Sequence, residues 1–99
     1  MTVSTLGSDQ TDTYVLSMNY NQAIPAGVAG LGNFGIATKD ASGTWVNAVS
    51  KNHGGGGSFH KSGWASGAGY GLGDWGVDTG SHTAWAIINH SSDFAVAAF

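Results

Sequence analysis

The sequence predicts an all-β domain, a small antiparallel sandwich or barrel of about six to seven strands that includes two related hairpins. Residue types that favour strands, namely Thr, Val, Ile and the aromatics, supply much of the chain, whereas Glu is absent and Leu is scarce. Glycine accounts for 17 of the 99 residues, well above the usual ~7%. An internal repeat with a turn inside each copy completes the argument for hairpins.

The first predicted strand covers residues 13–20, where side chains alternate between two faces. Tyr14 and Leu16 begin its apolar face. The preceding residues 1–12 are polar and aperiodic, and we expect a flexible tail or linker there. The folded domain is therefore expected to cover residues 13–99.

Three later segments follow from their composition. Residues 21–32 contain the only proline, Pro25, with several Ala and Gly, which predicts a loop or a poorly formed edge segment. Residues 58–61 predict a short strand. Residues 93–99 are mostly apolar and predict a last strand that ties the end of the chain into a sheet.

The strongest internal signal is a repeat. Residues 30–36, GLGNFGI, match residues 71–77, GLGDWGV, at an offset of 41. Each copy continues as strand, turn and strand, and Trp45 and Trp85 correspond at an offset of 40. Each copy ends near an Asn-His pair, which is Asn52-His53 in the first copy and Asn89-His90 in the second. We therefore predict two related β-hairpins that belong to one sheet or sandwich.

The glycine-rich region between the hairpins contains the candidate ligand-binding residues. Trp and Tyr rings stack on sugar rings, and nearby Asn, Asp and Ser side chains bond to sugar hydroxyls without needing charge. Aromatic residues on loops favour such a role. The candidates are Trp64, Tyr70, Trp75 and Asp74. The stretch Gly54–Ser58, GGGGS, is interpreted as a flexible loop or an engineered linker.

A structural role competes with binding for several aromatic rings. The two tryptophans that correspond in the repeat lie in predicted strands and are expected to anchor the core. Trp75 corresponds to Phe34, which favours a core role for Trp75 as well. Trp64 and Tyr70 have no counterpart in the repeat, so an exposed role and a buried role stay equally open for them.

The histidines raise a metal-binding alternative, because neutral imidazole is the commonest metal ligand. His53 and His60 flank the glycine run, and His90 occupies the place in the second copy that His53 has in the first. A site completed by Asp78 or Asp93 would suit zinc or copper. No HxH or HExxH spacing occurs, so surface or capping roles are the default expectation, and no cofactor is expected.

Charge and composition exclude several partners. The net charge is −3 and the only cations are three scattered lysines, which cannot form a phosphate-binding surface for nucleic acid or an anionic lipid surface. No apolar run approaches the ~20 residues of a membrane span. There is no cysteine, so disulfides and thiolate sites are excluded.

Catalytic motifs are missing from the sequence. There is no GxSxG nucleophile elbow and no GxxxxGK[ST] phosphate loop. The acidic residues are six aspartates, mostly in turn-like positions where they stabilise turns. We therefore expect a binding or structural module and not an enzyme.

Three segments of the chain resemble a short β-rich domain found near the C-termini of large exported bacterial surface proteins. They are FGIATKDASGTWVNAVSKN, SGWASGAGYGLGDWGVD and HTAWAIINHSSDFAVA. The resemblance implies an accessory domain that is secreted or held at the cell surface, and it transfers no functional residue. The first hypothesis is binding of a glycan or another surface polymer through loop aromatics. The alternatives are self-association through sheet edges and a His-based metal site, and a cytoplasmic location also stays open.

Overall fold

The structure is a computed structural model that describes residues 10–54, 56–65 and 67–99. In these residues seven strands form a four-stranded sheet in the order β1-β6-β5-β4 and a three-stranded sheet in the order β3-β2-β7. The predicted all-β architecture is confirmed. The elements are β1 Gln10–Asn19, α1 Ala26–Ala29, β2 Phe34–Lys39, β3 Trp45–Asn47, a 3-10 turn Ala48–Lys51, β4 Phe59–His60, β5 Trp75–Asp78, β6 Thr83–His90 and β7 Phe94–Ala98.

The first strand is longer than the alternation of side chains predicts. It begins at Gln10, which pairs with His90, and the pairing shifts register before Tyr14. Residues 10–12, expected in the tail, instead belong to the sheet. The reason is that strand β6 extends to His90 and so provides a pairing partner before the alternating stretch of β1 begins. Residues 1–9 lie outside the described residues.

The hydrophobic core lies between the two sheets. Ala84, Ala86 and Ile88 of β6 are fully buried there, with Val77 of β5 and Ile36 of β2. The predicted apolar face of β1 is confirmed, since its alternate side chains from Tyr14 onward pack against this cluster. Trp75 and Phe34, which correspond in the repeat, are both core residues as expected.

Both predicted hairpins are present, but they belong to different sheets. The first joins β2 to β3 and the second joins β5 to β6. Aspartate stabilises each turn through Oδ1, which accepts the N–H groups of Ser42 and Thr44 at Asp40. At Asp78 the same atom accepts the N–H groups of the two residues that follow Thr79.

The two hairpins have different registers, and this corrects the expected equivalence of the repeat tryptophans. In the second hairpin Trp85 pairs with Gly76, which corresponds to Gly35 in the first copy. In the first hairpin, however, Trp45 pairs with Lys39 and not with Gly35. Trp85 is 1% exposed on an inner strand. Trp45 is only half-buried on an edge strand, with the Lys39 ammonium 5.2 Å from its ring centre. Trp45 is therefore not a core anchor.

The Asn-His pairs that end the two copies lie against each other. The Asn89 side chain accepts from the His53 N–H at 2.8 Å and donates to the His53 carbonyl at 2.9 Å. In return, the Asn52 side chain donates to the Ile87 carbonyl at 3.2 Å and accepts from the Asn89 N–H at 3.3 Å. Each Asn amide thereby donates one hydrogen bond to the backbone of the other segment and accepts one from it, as a neighbouring strand would. The ends of the two hairpins are joined in this way without a β-ladder.

One strand pair is parallel, in contrast to the antiparallel arrangement that the short turns predict elsewhere. β4 runs parallel to β5, with Phe59 opposite Trp75 and His60 opposite Gly76. Parallel neighbours need a crossover connection instead of a tight turn. The crossover is the glycine-rich segment between β4 and β5, of which the structure describes residues 61–65 and 67–74.

Within the described residues, no helix has the length and apolar character needed to cross a membrane.

Candidate functional site

The face of the four-stranded sheet that points away from the core, here named the outer face, is partly covered by the crossover. Side chains alternate between the two faces of a strand. Ala84 and Ala86 of β6 point into the core, so Thr83, Trp85 and Ile87 of the same strand point to the outer face. Trp85 and Ile87 are nevertheless buried. The outer face is therefore covered at Trp85, where the crossover packs against the indole ring.

Three rings form a stack on the outer face. The Tyr70 ring centre lies 4.9 Å from that of Trp85 at an interplanar angle of 24°. The His60 ring centre lies 4.4 Å from Tyr70 and 5.9 Å from Trp85. Gly76 makes room for the stack, because a Cβ there would lie 2.8 Å from the indole nitrogen of Trp85. His60, Tyr70 and Trp85 are named the aromatic stack below.

The stack holds the start of the crossover in place. The Trp85 indole N–H donates to the Ser62 carbonyl at 2.7 Å, and the Ser62 hydroxyl lies 3.4 Å from the Tyr70 hydroxyl. The next residue, Gly63, lies so close to Asp78 that an added Cβ would be 3.0 Å from the carboxylate. The backbone that leads into Trp64 is thus anchored by a hydrogen bond at Ser62 and passes close to Asp78 at Gly63.

Trp64 differs from the other three tryptophans in its surroundings. Its side chain is 43% exposed, against 7% for Trp75 and 1% for Trp85. Among the described residues it makes no ring contact and its indole N–H has no hydrogen-bond partner. A large ring, with a donor that has no partner among the described residues, is therefore partly in contact with solvent.

A row of polar side chains crosses the outer face near Trp64. Asp78, Thr83 and Asn19 are cross-strand neighbours on β5, β6 and β1, and they are named the polar row. The Thr83 hydroxyl donates to Asn19 Oδ1 at 3.0 Å and accepts from Ser81 at 3.1 Å. The Asn19 amide nitrogen has no partner in the described part of the chain. The row therefore offers both donors and acceptors to a ligand.

Asp74, a predicted binding residue, instead holds together the two ends of the glycine-rich region. Its Oδ1 accepts the Ser58 N–H at 2.8 Å and its Oδ2 accepts the Gly71 N–H at 2.9 Å. The bond from Gly71, with smaller effects of Ser58 and His60, lowers the pKa of Asp74 against the opposing effect of partial burial. Both carboxylate oxygens are thus committed to the backbone.

Glycine is sterically required where the backbone at Gly57 packs against the backbone at Gly73. A Cβ on Gly57 would overlap the backbone of Gly73 and Asp74, and a Cβ on Gly73 would lie 2.9 Å from the Gly57 nitrogen. Gly73 also has a φ of +96°, which side chains disfavour. In contrast, a Cβ on Gly56 would meet nothing within 4 Å. At Gly57 the glycine stretch is thus a packed part of the fold and not a loose linker.

Replacement of Asp74 by Asn should lower the free energy of unfolding by about 1–3 kcal/mol at neutral pH, because an amide NH₂ would face one of the two backbone donors. The lowered pKa of Asp74 means that its contribution is complete above the unfolded-state pKa, ~3.9, and is lost as pH falls through the folded-state pKa. The wild-type protein should therefore lose more stability on acidification than the variant. Urea unfolding measured across a series of pH values checks this.

Asp40→Asn is the matched control for Asp74→Asn. All three hydrogen bonds to Asp40 end on Oδ1, which an Asn side chain retains. This variant should therefore lose less stability at neutral pH than Asp74→Asn. Equal losses in the two variants would contradict the role assigned to Asp74.

The three histidines proposed as metal ligands lie in different surroundings. His90 is 0% exposed, and its Nε2 lies 2.9 Å from the Ala48 carbonyl while its Nδ1 lies 3.2 Å from the Ser92 hydroxyl. Because a carbonyl only accepts, Nε2 carries the hydrogen and both ring nitrogens are engaged. His60 belongs to the aromatic stack, with Nε2 3.4 Å from an oxygen of Asp74. His53 has an exposed side chain.

No group of three His or Asp side chains suitable for a metal ion comes together within residues 10–54, 56–65 and 67–99. The geometry thus gives the metal-binding alternative no support.

Three of the four predicted ligand-binding residues, Trp64, Tyr70 and Asp74, belong to the crossover. Tyr70 is half-buried in the aromatic stack, whereas Trp75 lies on the opposite face in the core. The residues that sequence reasoning missed are Asn19 and Thr83, which lie in separate strands. Their polar, outward-facing positions in alternating strands are visible in the sequence, but the register that joins them is not.

Comparison of the chain with protein-family models, curated proteins and solved structures gave no match.

Proposed function

We propose that this domain is a carbohydrate-binding module and that Trp64 on the outer face is its central contact. The supporting observation is the exposed indole of Trp64, 43% accessible, on a segment that the Trp85 indole anchors at Ser62 and that passes close to Asp78 at Gly63. An indole face offers apolar contact to the C–H surface of a sugar ring, and a fixed backbone reduces the ordering cost of binding. A module of this kind acts outside the cell, in agreement with the expected export.

The polar row supports a sugar ligand over an apolar one. Its side chains present hydroxyl, amide and carboxylate groups on the outer face, where Asp78 lies close to Gly63, the residue before Trp64. Sugar hydroxyls can both donate to and accept from such groups. The described residues enclose no cavity, so the ligand would lie on an open surface. Tyr70 is a positioning residue in this proposal, because it stacks on Trp85 and supports the segment that carries Trp64.

Trp64→Ala should weaken glycan binding tenfold or more while the free energy of unfolding stays within about 0.5 kcal/mol of wild type. An aromatic anchor at an interface commonly contributes about 2 kcal/mol, and Trp64 makes no ring contact that folding needs. A glycan array followed by calorimetric titration of the best ligand measures binding, and urea unfolding measures stability.

Trp45→Ala is the matched control for this experiment. Trp45 is also accessible to solvent, but it lies on the other sheet. Its removal should leave glycan binding unchanged. Binding that survives Trp64→Ala, or that is lost equally in both variants, would contradict the proposal.

Pairing of sheet edges with a second copy is the other candidate function. The edge strand β7, FAVAA, contains no charged residue and no proline, the features that commonly block edge pairing. Glycan binding stands first because Trp64 is a prearranged contact for one class of ligand.

A further inference from the structure

We infer that the outer face binds internal units of an uncharged polysaccharide, and not the end of a sugar chain or an acidic polymer. This inference rests on the proposed function. It follows from the shape of the site, from its extent and from the distribution of charge around it.

The shape of the site favours a polymer. Small ligands are usually bound in clefts that bury most of their surface, whereas the described residues enclose no such cavity. A single sugar on Trp64 would keep much of its surface in water and would gain little to offset the entropy lost on binding. A polymer that continues past Trp64 can add contacts with each further unit.

The extent of the site agrees with several sugar units. The polar row crosses three strands, and two interstrand spacings amount to about 10 Å. Asp78, at one end of the row, lies close to Gly63, the residue before Trp64. At the other end of the row, Asn19 is exposed and has an amide nitrogen without a partner in the described residues. A linear ligand can therefore contact Trp64 and follow the row to the edge strand β1.

The charge distribution disfavours acidic polymers. Asp78 is the only charged member of the polar row, and the overall net charge is −3. The three lysines lie elsewhere: Lys39 is over Trp45 of the other sheet, Lys51 ends the 3-10 turn after β3 and acts on Asp40, and the Lys61 side chain approaches Gly30 beside α1. Thr83 and Asn19 are neutral. Among the described residues, a carboxylated or sulfated chain on the row would meet the Asp78 carboxylate and no lysine.

The test uses the full chain and two sets of defined probes. Affinity electrophoresis would compare neutral polymers (hydroxyethyl cellulose, a mixed-linkage glucan and glycol chitin) with acidic ones (alginate and polygalacturonate) at low ionic strength, where charge effects are largest. Competition for the bound polymer would then compare a hexasaccharide of the same linkage with its monosaccharide, in wild type and in Trp64→Ala. We expect retardation by a neutral polymer only. The hexasaccharide should compete at least tenfold better than the same mass of monosaccharide.

Each outcome distinguishes the inference from the proposed function. Equal competition per mass by monosaccharide and hexasaccharide, or stronger retardation by an acidic polymer, would overturn the inference. If that retardation still depended on Trp64, the proposed function would stand. An absence of retardation by every polymer and of any hit on the glycan array would overturn both.

Discussion

Replacement of Gly57 by Ala should lower the free energy of unfolding by about 3 kcal/mol or more, one of the largest expected losses in this chain. The Cβ of the variant would overlap the backbone of Gly73 and Asp74, which cannot withdraw as the end of a flexible side chain can. Separation of the two segments would also break the Ser58 to Asp74 hydrogen bond. Urea unfolding of the wild type and the variant measures the loss.

Gly56→Ala is the matched control, because it adds the same methyl group one residue earlier in the same glycine run. Its Cβ would meet nothing within 4 Å, so its stability should stay within about 1 kcal/mol of wild type. Hydrogen exchange adds a local readout: the Ser58 amide should lose protection in Gly57→Ala only. Equal stability of the two variants would show that the backbones at Gly57 and Gly73 are not tightly packed against each other in solution.

Trp85→Ala should destabilise the domain by about 3–5 kcal/mol, since a buried aromatic would be replaced by a cavity on the outer face. The variant also loses the stacking with Tyr70 and His60 and leaves the Ser62 carbonyl without its indole donor. A small domain typically has a total stability of 5–15 kcal/mol, so the loss takes a large share of it. Thermal and urea unfolding give the measurement.

Two comparison variants separate the contributions of Trp85. Trp85→Phe keeps an aromatic ring but no N–H, and we expect it to lose about 1–3 kcal/mol because the Ser62 carbonyl is left unpaired. Trp45→Ala should cost much less than Trp85→Ala, because Trp45 is half-buried on an edge strand. Similar losses for Trp45→Ala and Trp85→Ala would contradict the difference in register between the hairpins.

The stability experiments also bear on the proposed binding site. The aromatic stack and the Asp74 contacts hold the crossover, and the crossover carries Trp64. Variants that loosen the crossover without unfolding the domain should therefore weaken glycan binding although they do not remove Trp64. Trp85→Phe is the most informative of these, because it alters one hydrogen bond next to the site.

Much of the fold was predictable because it depends on local patterns. Alternation of apolar and polar side chains predicts β1 from Tyr14 onward, and the turns at Asp40 and Asp78 predict both hairpins. The correspondence of Trp75 with Phe34 predicts that both are core residues. Each of these inferences uses residues that are close in sequence or that repeat at a fixed offset.

The site was less predictable because it depends on register and on a crossover. The repeat makes Trp45 and Trp85 appear equivalent, yet a different pairing in each hairpin puts one on an edge strand and the other beneath Tyr70. No local pattern reveals that β4 pairs in parallel with β5, since parallel pairing joins segments separated by a long connection. The position of the glycine-rich segment over the outer face follows from that pairing.

The sequence by itself thus determined the fold class, the two hairpins and the apolar face of β1. It also showed that Trp64 and Tyr70 have no counterpart in the repeat. Only the tertiary structure decided which tryptophan is exposed, that Asn19 and Thr83 adjoin Asp78, and that Gly57 must pass against Gly73. The physical reason is that side-chain alternation and turn chemistry act over a few residues. Burial of a given ring, in contrast, depends on the segment packed over it, and for Trp85 that segment arrives through a crossover between two parallel strands.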